Sequence, residues 1–244
     1  MDIAGFTQVL NNARRIVFFT GAGISTDSGI PDFRSPGGVW TKYTPVYYQD
    51  FLASETARVR YWRMKKELYE TYKSAKPNQN HFDIALFEKR RALLGVITQN
   101  IDGFHHMAGI SPEKIVELHG TDRKIHCLDC GLEEDVDKIF LSLNGEFCAP
   151  RCPACAGYLK VATISFGQPM PDEAMERAGD MCRASDLFIV LGSSLEVQPA
   201  ATFPLVAKNG GAALCIVNRT PTSLDREADF LFSGSIRDFF KGIL

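Results

Sequence analysis

The chain has 244 residues, 45% of them hydrophobic and 23% charged, with a formal net charge of −2. That mixture excludes a disordered chain, and the near-neutral balance supplies no overall basic field for nucleic acid or an anionic membrane. No run approaches the roughly 18 consecutive apolar residues of a membrane span, and residues 1–12 lack the continuous apolar segment of a signal peptide. The length suits one large domain, or one domain with an inserted lobe, that folds without disulfides. Of the seven cysteines, four fall in two C-x-x-C pairs, which without an export signal reads as metal or redox chemistry. A soluble, cytoplasmic protein is the expectation.

A helical pattern over residues 6–14 opens the chain, followed by a short apolar strand at 16–20. Helical patterns at 56–73 and 79–89 lead to a second strand at 93–98. A helix at 172–183, a strand at 187–191, a helix at 200–208 and a strand at 213–217 complete the series. Each strand is rich in Val, Ile, Phe or Leu, as buried parallel strands are. The alternation predicts an α/β fold with a Rossmann-like, doubly wound parallel sheet. Two stretches break the rhythm, an aromatic-rich helical one and one that holds the cysteine pairs. They are read as the helical part (35–90) and the zinc-ribbon part (123–160) of one smaller lobe, inserted into a large domain of residues 1–34, 91–122 and 161–244.

In such sheets, ligands sit beyond the carboxyl ends of the strands. The residues there are Gly21-Ala22-Gly23, Gln99-Asn100-Ile101-Asp102, Gly192-Ser193-Ser194 and Asn218. The first glycines let the backbone approach a phosphate, with N–H groups of the following helix pointing at it, and Ser25 adds a hydroxyl. A plain strand-to-helix turn is the alternative reading. The full dinucleotide fingerprint is absent, since position 26 is Thr and the chain runs on into Gly29-Ile30-Pro31-Asp32-Phe33-Arg34. A hydride-transfer dehydrogenase is therefore disfavoured. Asn218 is a candidate for the hydroxyls of an adenosine ribose.

Cys127, Cys130, Cys152 and Cys155 form two knuckles suited to a tetrahedral Zn²⁺ with a closed, structural shell. Cys148 is a rival ligand without knuckle spacing, and Cys182 and Cys215 sit in apolar contexts typical of core. His119 lies at the end of an apolar stretch beside Gly120, which leaves room for a ligand. A histidine is well suited to proton transfer near neutral pH, although a lone one also reads as core. Asn100 and Asp102 can orient a water, a ribose or an amide, or equally cap a helix.

In this order and spacing, the segments resemble the sirtuin (Sir2-type) family of NAD-dependent protein lysine deacylases, in its short bacterial or archaeal form. The resemblance runs from Gly21-Ala22-Gly23-Ile24-Ser25 through Gly29 to Arg34, Thr98 to Asp102, His119-Gly120, the cysteine pairs, Phe166-Gly167 and Gly192 to Leu195, as far as Asn218. It implies that NAD is the co-substrate, lying between the lobes and touching Gly21, Ala22, Gly23, Ser25, Asp32, Phe33 and Arg34. Gln99, Asn100, Ile101, Asp102, Gly192, Ser193, Ser194, Asn218 and Ile236 complete that implied site, alongside one structural Zn²⁺. It further implies that the acyl oxygen attacks C1′ of the ribose and expels nicotinamide. His119 then deprotonates a ribose hydroxyl, and Asn100 organises the ribose and a water. The acyl group leaves on ADP-ribose.

The resemblance also implies an acyl-lysine peptide added as a strand between Phe166-Gly167-Gln168 and Leu195-Glu196-Val197. Gln168 replaces the family's usual Glu, and Ser193 its usual Thr. One subclass that favours succinyl and malonyl groups carries Tyr-x-x-Arg on the small-lobe helix. Here the corresponding residues are read as Arg60 and Arg63, which share a helix face and can grip a carboxylate, or form only a solvated basic face. Deacetylation is the default expectation, with acidic acyl groups possible. Mono-ADP-ribosyl transfer and a non-enzymatic NAD-sensing zinc module are the competing readings.

Overall fold

The computed structural model describes residues 3–33, 36–90, 92–143 and 148–244. Helix α1 (Ile3–Asn12) leads into strand β1 (Ile16–Thr20), followed by short helices α2 (Val39–Lys42) and α3 (Tyr48–Ala53) and the longer α4 (Glu55–Tyr72) and α5 (Gln79–Lys89). Next come β2 (Leu93–Thr98), α6 (Phe104–Met107), β3 (Ile115–Glu117), β4 (Gly120–Cys127), β5 (Glu133–Asp135), α7 (Val136–Ser142) and β6 (Leu159–Thr163). The chain closes with α8 (Asp172–Ala184), β7 (Leu187–Leu191), α9 (Phe203–Asn209), β8 (Ala213–Asn218), β9 (Phe230–Ser233) and α10 (Ile236–Ile243).

All five residues of β1 and of β7 are buried, so both faces of the sheet need cover. The sheet has six parallel strands in the order β3-β2-β1-β7-β8-β9, the expected doubly wound arrangement. Alternate residues feed two cores. Phe18, Ile189 and Val217 pack under α1, α5 and α10 through Phe6, Ile84, Phe87, Phe239 and Phe240. Phe19, Val190 and Ile216 pack under α8 and α9 through Ala178, Cys182, Phe203 and Ala207. Among the described residues, no helix is long and apolar enough to cross a membrane.

The smaller sheet is antiparallel, in the order β5-β4-β6. A third core joins α4 to that sheet: Phe51, Tyr61 and Trp62 pack with Ile125, Phe140, Leu159 and Val161.

The structure corrects the expected boundaries in four places. Residues 79–89 were assigned to the smaller lobe, yet α5 belongs to the large sheet, because Ile84, Ala85 and Phe87 face its core. Strands β4 and β6 run across the expected borders at 122 and 160. Helix α1 stops at Asn12, short of residue 14, because Asp186 captures the backbone N–H groups of Arg14 and Arg15. The helix expected over 200–208 begins as a 3-10 turn and becomes α-helical at Phe203, with a proline in its first turn. Two short edge strands, β3 and β9, complete the sheet beyond the four that apolar runs reveal.

Candidate active site

Strand order reverses between β1 and β7, and a ligand crevice is expected at that switch point. Two glycine turns meet there. A Cβ on Gly21 would lie 2.7 Å from the Gly192 carbonyl oxygen, one on Gly23 2.7 Å from Gly192 Cα, and Gly192 itself has φ +63°. The glycines are thus required by contact between the turns. The amides of Gly21 and Gly23 donate to Leu191 and Gly192 carbonyls, and those of Ile24 and Ser25 close a three-residue 3-10 turn. The amides of Gly21, Gly23, Ile24 and Ser25 are therefore engaged within the protein. What the turns supply is bare, close-packed backbone along the floor of a cavity of about 610 Å³.

Gly21, Ala22, Gly23, Asp32 and Phe33 line that cavity from the β1 side, and Gly192, Ser193 and Ser194 from the β7 side. Asn218 and Ile236 line its far end. Gln99 Nε2 donates to Ser193 Oγ at 2.7 Å, tying the end of β2 to the end of β7. Asn218 Nδ2 donates to the Thr220 carbonyl and so braces its own loop. Arg34 lies outside the described residues.

Ser25 and Asp102 line an adjoining chamber of about 80 Å³, with Asn100 and Ile101 shared between the two spaces. Ser25 Oγ donates to Asp102 Oδ2 at 2.7 Å, Asn100 Nδ2 donates to Ser25 Oγ at 3.2 Å, and Asp102 Oδ1 accepts from the Phe104 amide. His81 stands behind them. Its Nδ1 accepts from the Asn78 amide, which leaves the proton on Nε2, 3.4 Å from Ser25 Oγ. Burial pushes His81 down to about 4, so it is neutral and holds this tautomer. Sequence reasoning passed over His81; its only local signal is the capping box with Asn78.

His119 sits at the cavity wall between β3 and β4. Its Nδ1 lies 2.9 Å from the Gln99 carbonyl oxygen. That carbonyl can only accept, so Nδ1 carries the proton and the lone pair is on Nε2, as a general base requires. Gly120 is tightly constrained, with φ +71° and an added Cβ only 2.0 Å from the Ala162 carbonyl oxygen. The turn that aims His119 is thus closed against β6.

The remaining wall comes from the smaller lobe. Tyr61, Met64 and Lys65 of α4 line the cavity with Thr163, Phe166, Gly167 and Val197. Trp40 packs between Phe33 and Phe166 at centroid distances of 5.6 and 5.8 Å. Leu195 is buried with φ +56°, and both its N–H and C=O are engaged, by Ser193 and Ser223; Glu196 is exposed. Arg60 and Arg63 do not line the cavity and are exposed, which corrects the expectation that they grip an acyl group. With about 100° of rotation per residue, the Arg60 and Arg63 pair is turned about 100° away from the pair Tyr61 and Met64. The cavity-facing i, i+3 pair is one residue further along, Tyr61 and Met64.

The sulfurs of Cys127, Cys130, Cys152 and Cys155 all lie within 4.8 Å of one another. Cys127 and Cys155 are 3.5 Å apart, and Cys130 and Cys152 3.7 Å. Zn–S bonds of about 2.3 Å put tetrahedral sulfurs about 3.8 Å apart, so the set fits zinc. Amides of Asp129 and Gly157 point at Cys127 and Cys155 sulfurs, each at 3.4 Å, as in an outer shell that orients metal-bound thiolates.

Comparison with known proteins matches the Sir2 family model to residues 21–199. The chain is 45% identical to NAD-dependent protein deacetylase 1 of Bradyrhizobium diazoefficiens, covering 94% of this chain and 90% of the relative. It superposes with TM-score 0.91, at 34% identity, on a Sir2 histidine variant bound to a deacetylated p53 peptide and 3′-O-acetyl ADP ribose, covering 100% of this chain and 97% of that one. A Sir2 complex with a p53 peptide and NAD⁺ superposes with TM-score 0.88 at 34% identity, covering 99% of this chain and 96% of the other.

Proposed function

The chain belongs to the Sir2 family, and from that membership we propose that it is an NAD-dependent protein lysine deacylase with deacetylation as its baseline reaction. The acyl group passes from lysine to ADP-ribose and nicotinamide is released. The observation that carries this reading is His119, held by the Gln99 carbonyl with Nε2 as its basic nitrogen, in one cavity with the glycine turns of the switch point.

Bound NAD⁺ supplies a ribose carbon whose charged nicotinamide is already a good leaving group, so the protein's work is to position and desolvate. In this reading His119 takes the proton from a ribose hydroxyl, and Asn100 orients that ribose and a water. Ile101 and Asp102 hold a carboxamide in the smaller chamber, where Ser25 and the Phe104 amide fix the carboxylate of Asp102. Ala22, Phe33 and Arg34 line the nicotinamide-ribose region, with Phe33 shielding the reacting carbon, while Gly21, Gly23, Asp32, Gln99, Ser193, Ser194, Asn218 and Ile236 take the rest of the dinucleotide. Phe166, Gly167, Leu195, Glu196 and Val197 bracket an acyl-lysine peptide, the proposed protein partner. The four cysteines hold a structural zinc that keeps β4 and β6 in place.

The test is nicotinamide release from NAD⁺ that requires an acetyl-lysine peptide. His119→Ala is expected to lower it by about 10²–10⁴-fold, the usual contribution of a general base. Release without peptide makes the protein an NAD hydrolase, and label transferred from NAD⁺ to protein makes it an ADP-ribosyltransferase; either result overturns the reading.

A further inference from the structure

The far end of the cavity holds one acid and one cation that the proposed chemistry does not use. Asp27, in the turn after β1, and Arg219, in the loop after β8, both line it. Arg219 Nη2 lies 3.9 Å from Asp27 Oδ1, close enough for charge attraction and too long for a hydrogen bond. The other oxygen of Asp27 accepts from Asn80 Nδ2 at 3.2 Å. Asn80 is 2% exposed and sits in the first turn of α5, so the carboxylate is anchored to the body of the large domain. Asp238 also feels the charge of Arg219. It already accepts from Ser235 Oγ, lies 3.6 Å from Lys241 and does not line the cavity. Asp27 is therefore the acid that meets Arg219 inside the cavity.

Asn218, beside Arg219 in the chain, has the same chemical bias. Its Nδ2 donates to the Thr220 carbonyl at 2.8 Å and to Thr220 Oγ1 at 3.3 Å. A carbonyl can only accept, which fixes the orientation of the amide and leaves Oδ1 as the atom with bonding capacity to spare. Asn218 Oδ1 and the Asp27 carboxylate are both acceptors. They suit hydroxyl groups, which donate, and they oppose a phosphate dianion, which does not.

His119, Asn100 and Ile101 claim the nicotinamide end of the cavity, so the adenosine falls to this far end. The adenosine ribose of NAD⁺ presents hydroxyls there, whereas NADP⁺ carries a 2′-phosphate with a charge of about −1.5 to −2. In doubly wound folds an acid beside this ribose reads the hydroxyl, and a nearby arginine accommodates the phosphate. Here both residue types occur and face each other. We propose that Asp27 selects the dinucleotide: it holds the charge of Arg219 in check and repels a 2′-phosphate, so that NAD⁺ is taken and NADP⁺ is excluded. This rests on the reading of the cavity as an NAD⁺ site and adds the residue that decides between the two dinucleotides.

The experiment measures dissociation constants for NAD⁺ and NADP⁺ by calorimetry at low ionic strength, where exposed charges are least screened. Peptide-dependent nicotinamide release is followed from each. Wild type is expected to favour NAD⁺ by at least about tenfold. Asp27→Asn keeps an oxygen for Asn80 and removes the charge. It is expected to lower the preference at least about tenfold, chiefly through tighter NADP⁺ binding. Asp27→Glu is expected to keep most of the preference. Arg219→Ala is expected to raise it, because a 2′-phosphate then meets Asp27 alone. Each ratio is taken within one preparation, so partial unfolding cancels. A wild type that binds both dinucleotides equally overturns the selector and leaves the NAD⁺ site standing. So does a ratio unmoved by Asp27→Asn, or one that Asp27→Asn and Arg219→Ala shift in the same direction. Failure of both dinucleotides to bind overturns both readings, and NAD⁺ binding without peptide-dependent release overturns the deacylase alone.

Discussion

The two walls of the cavity are built on opposite principles. On the wall of strand ends, the polar side chains are tied to one another: Ser25 to Asp102, Asn100 to Ser25, Gln99 to Ser193, and His119 to the Gln99 carbonyl. On the small-lobe wall Lys65 donates to Thr163 Oγ1, with Tyr61 and Met64 lining the cavity beside it. A wall whose groups are fixed before binding suits a ligand that never changes, because no reorganisation is needed at reaction. A wall with fewer tied polar groups suits a part of the substrate that varies. The difference sets the pre-tied polar groups of the large sheet apart from the wall contributed by α4 and the smaller sheet.

Removing zinc is the largest test of that separation. Structural zinc contributes on the order of 10 kcal/mol or more to small domains, and Cys127 and Cys152 belong to the same core as Tyr61 and Trp62. Chelation is expected to abolish turnover and to melt the small lobe, while the large sheet keeps its far-ultraviolet circular dichroism. Full activity after verified metal removal would show that the cysteines are not a structural support of this wall.

Next in size is Gly192→Ala. It places a methyl 2.7 Å from the backbone of Gly23 at φ +63°, and strain of this kind costs about 1–3 kcal/mol. The expected result is a lower melting temperature together with NAD⁺ affinity reduced by about tenfold or more, read by calorimetry. Affinity unchanged by the substitution would mean that the glycine contact does not shape the nucleotide wall.

Ser25→Ala removes the hydroxyl between His81, Asn100 and Asp102 and leaves Asp102 with fewer partners. A loss of about 1–2 kcal/mol is expected to raise the KM for NAD⁺ by about tenfold, with little change in the KM for the acetyl-lysine peptide. A matching rise in the peptide KM would show that the two walls are coupled.

The smallest effect concerns Glu117, which lies 3.7 Å from His106. Burial, with repulsion from Asp102 and Asp122, raises it from 4.5 to about 7. Between those values the folded protein holds a proton that the unfolded chain has released, so stability falls as pH rises through this window. Glu117→Gln is expected to match wild type below about pH 4.5 and to melt higher above pH 7, by about 2–4 °C if about 1 kcal/mol is recovered. Equal melting temperatures at pH 8 would remove Glu117 from the account.

The strands at 16–20, 93–98, 187–191 and 213–217 are legible in the sequence because a buried parallel strand is a short run of β-branched and aromatic residues, a local signal. The cysteine knuckles are equally local, since C-x-x-C spacing alone brings two sulfurs together. Once the strands are identified, the positions of Gly21, Gln99, Gly192 and Asn218 follow from where each strand ends. Only the tertiary structure decided what turns inward on α4. Buried residues surround that helix on several sides: Arg58 is buried too, bonded to the Phe51 and Leu52 carbonyls. The apolar stripe that would announce its inner face is therefore blurred, and matching the Tyr-x-x-Arg spacing at its arginine places the pair at Arg60 and Arg63. Packing of Trp62 and Tyr61 against β4 and β6 sets the rotation of the helix. A shift of one residue, about 100°, exchanges two solvated arginines for Tyr61, Met64 and Lys65.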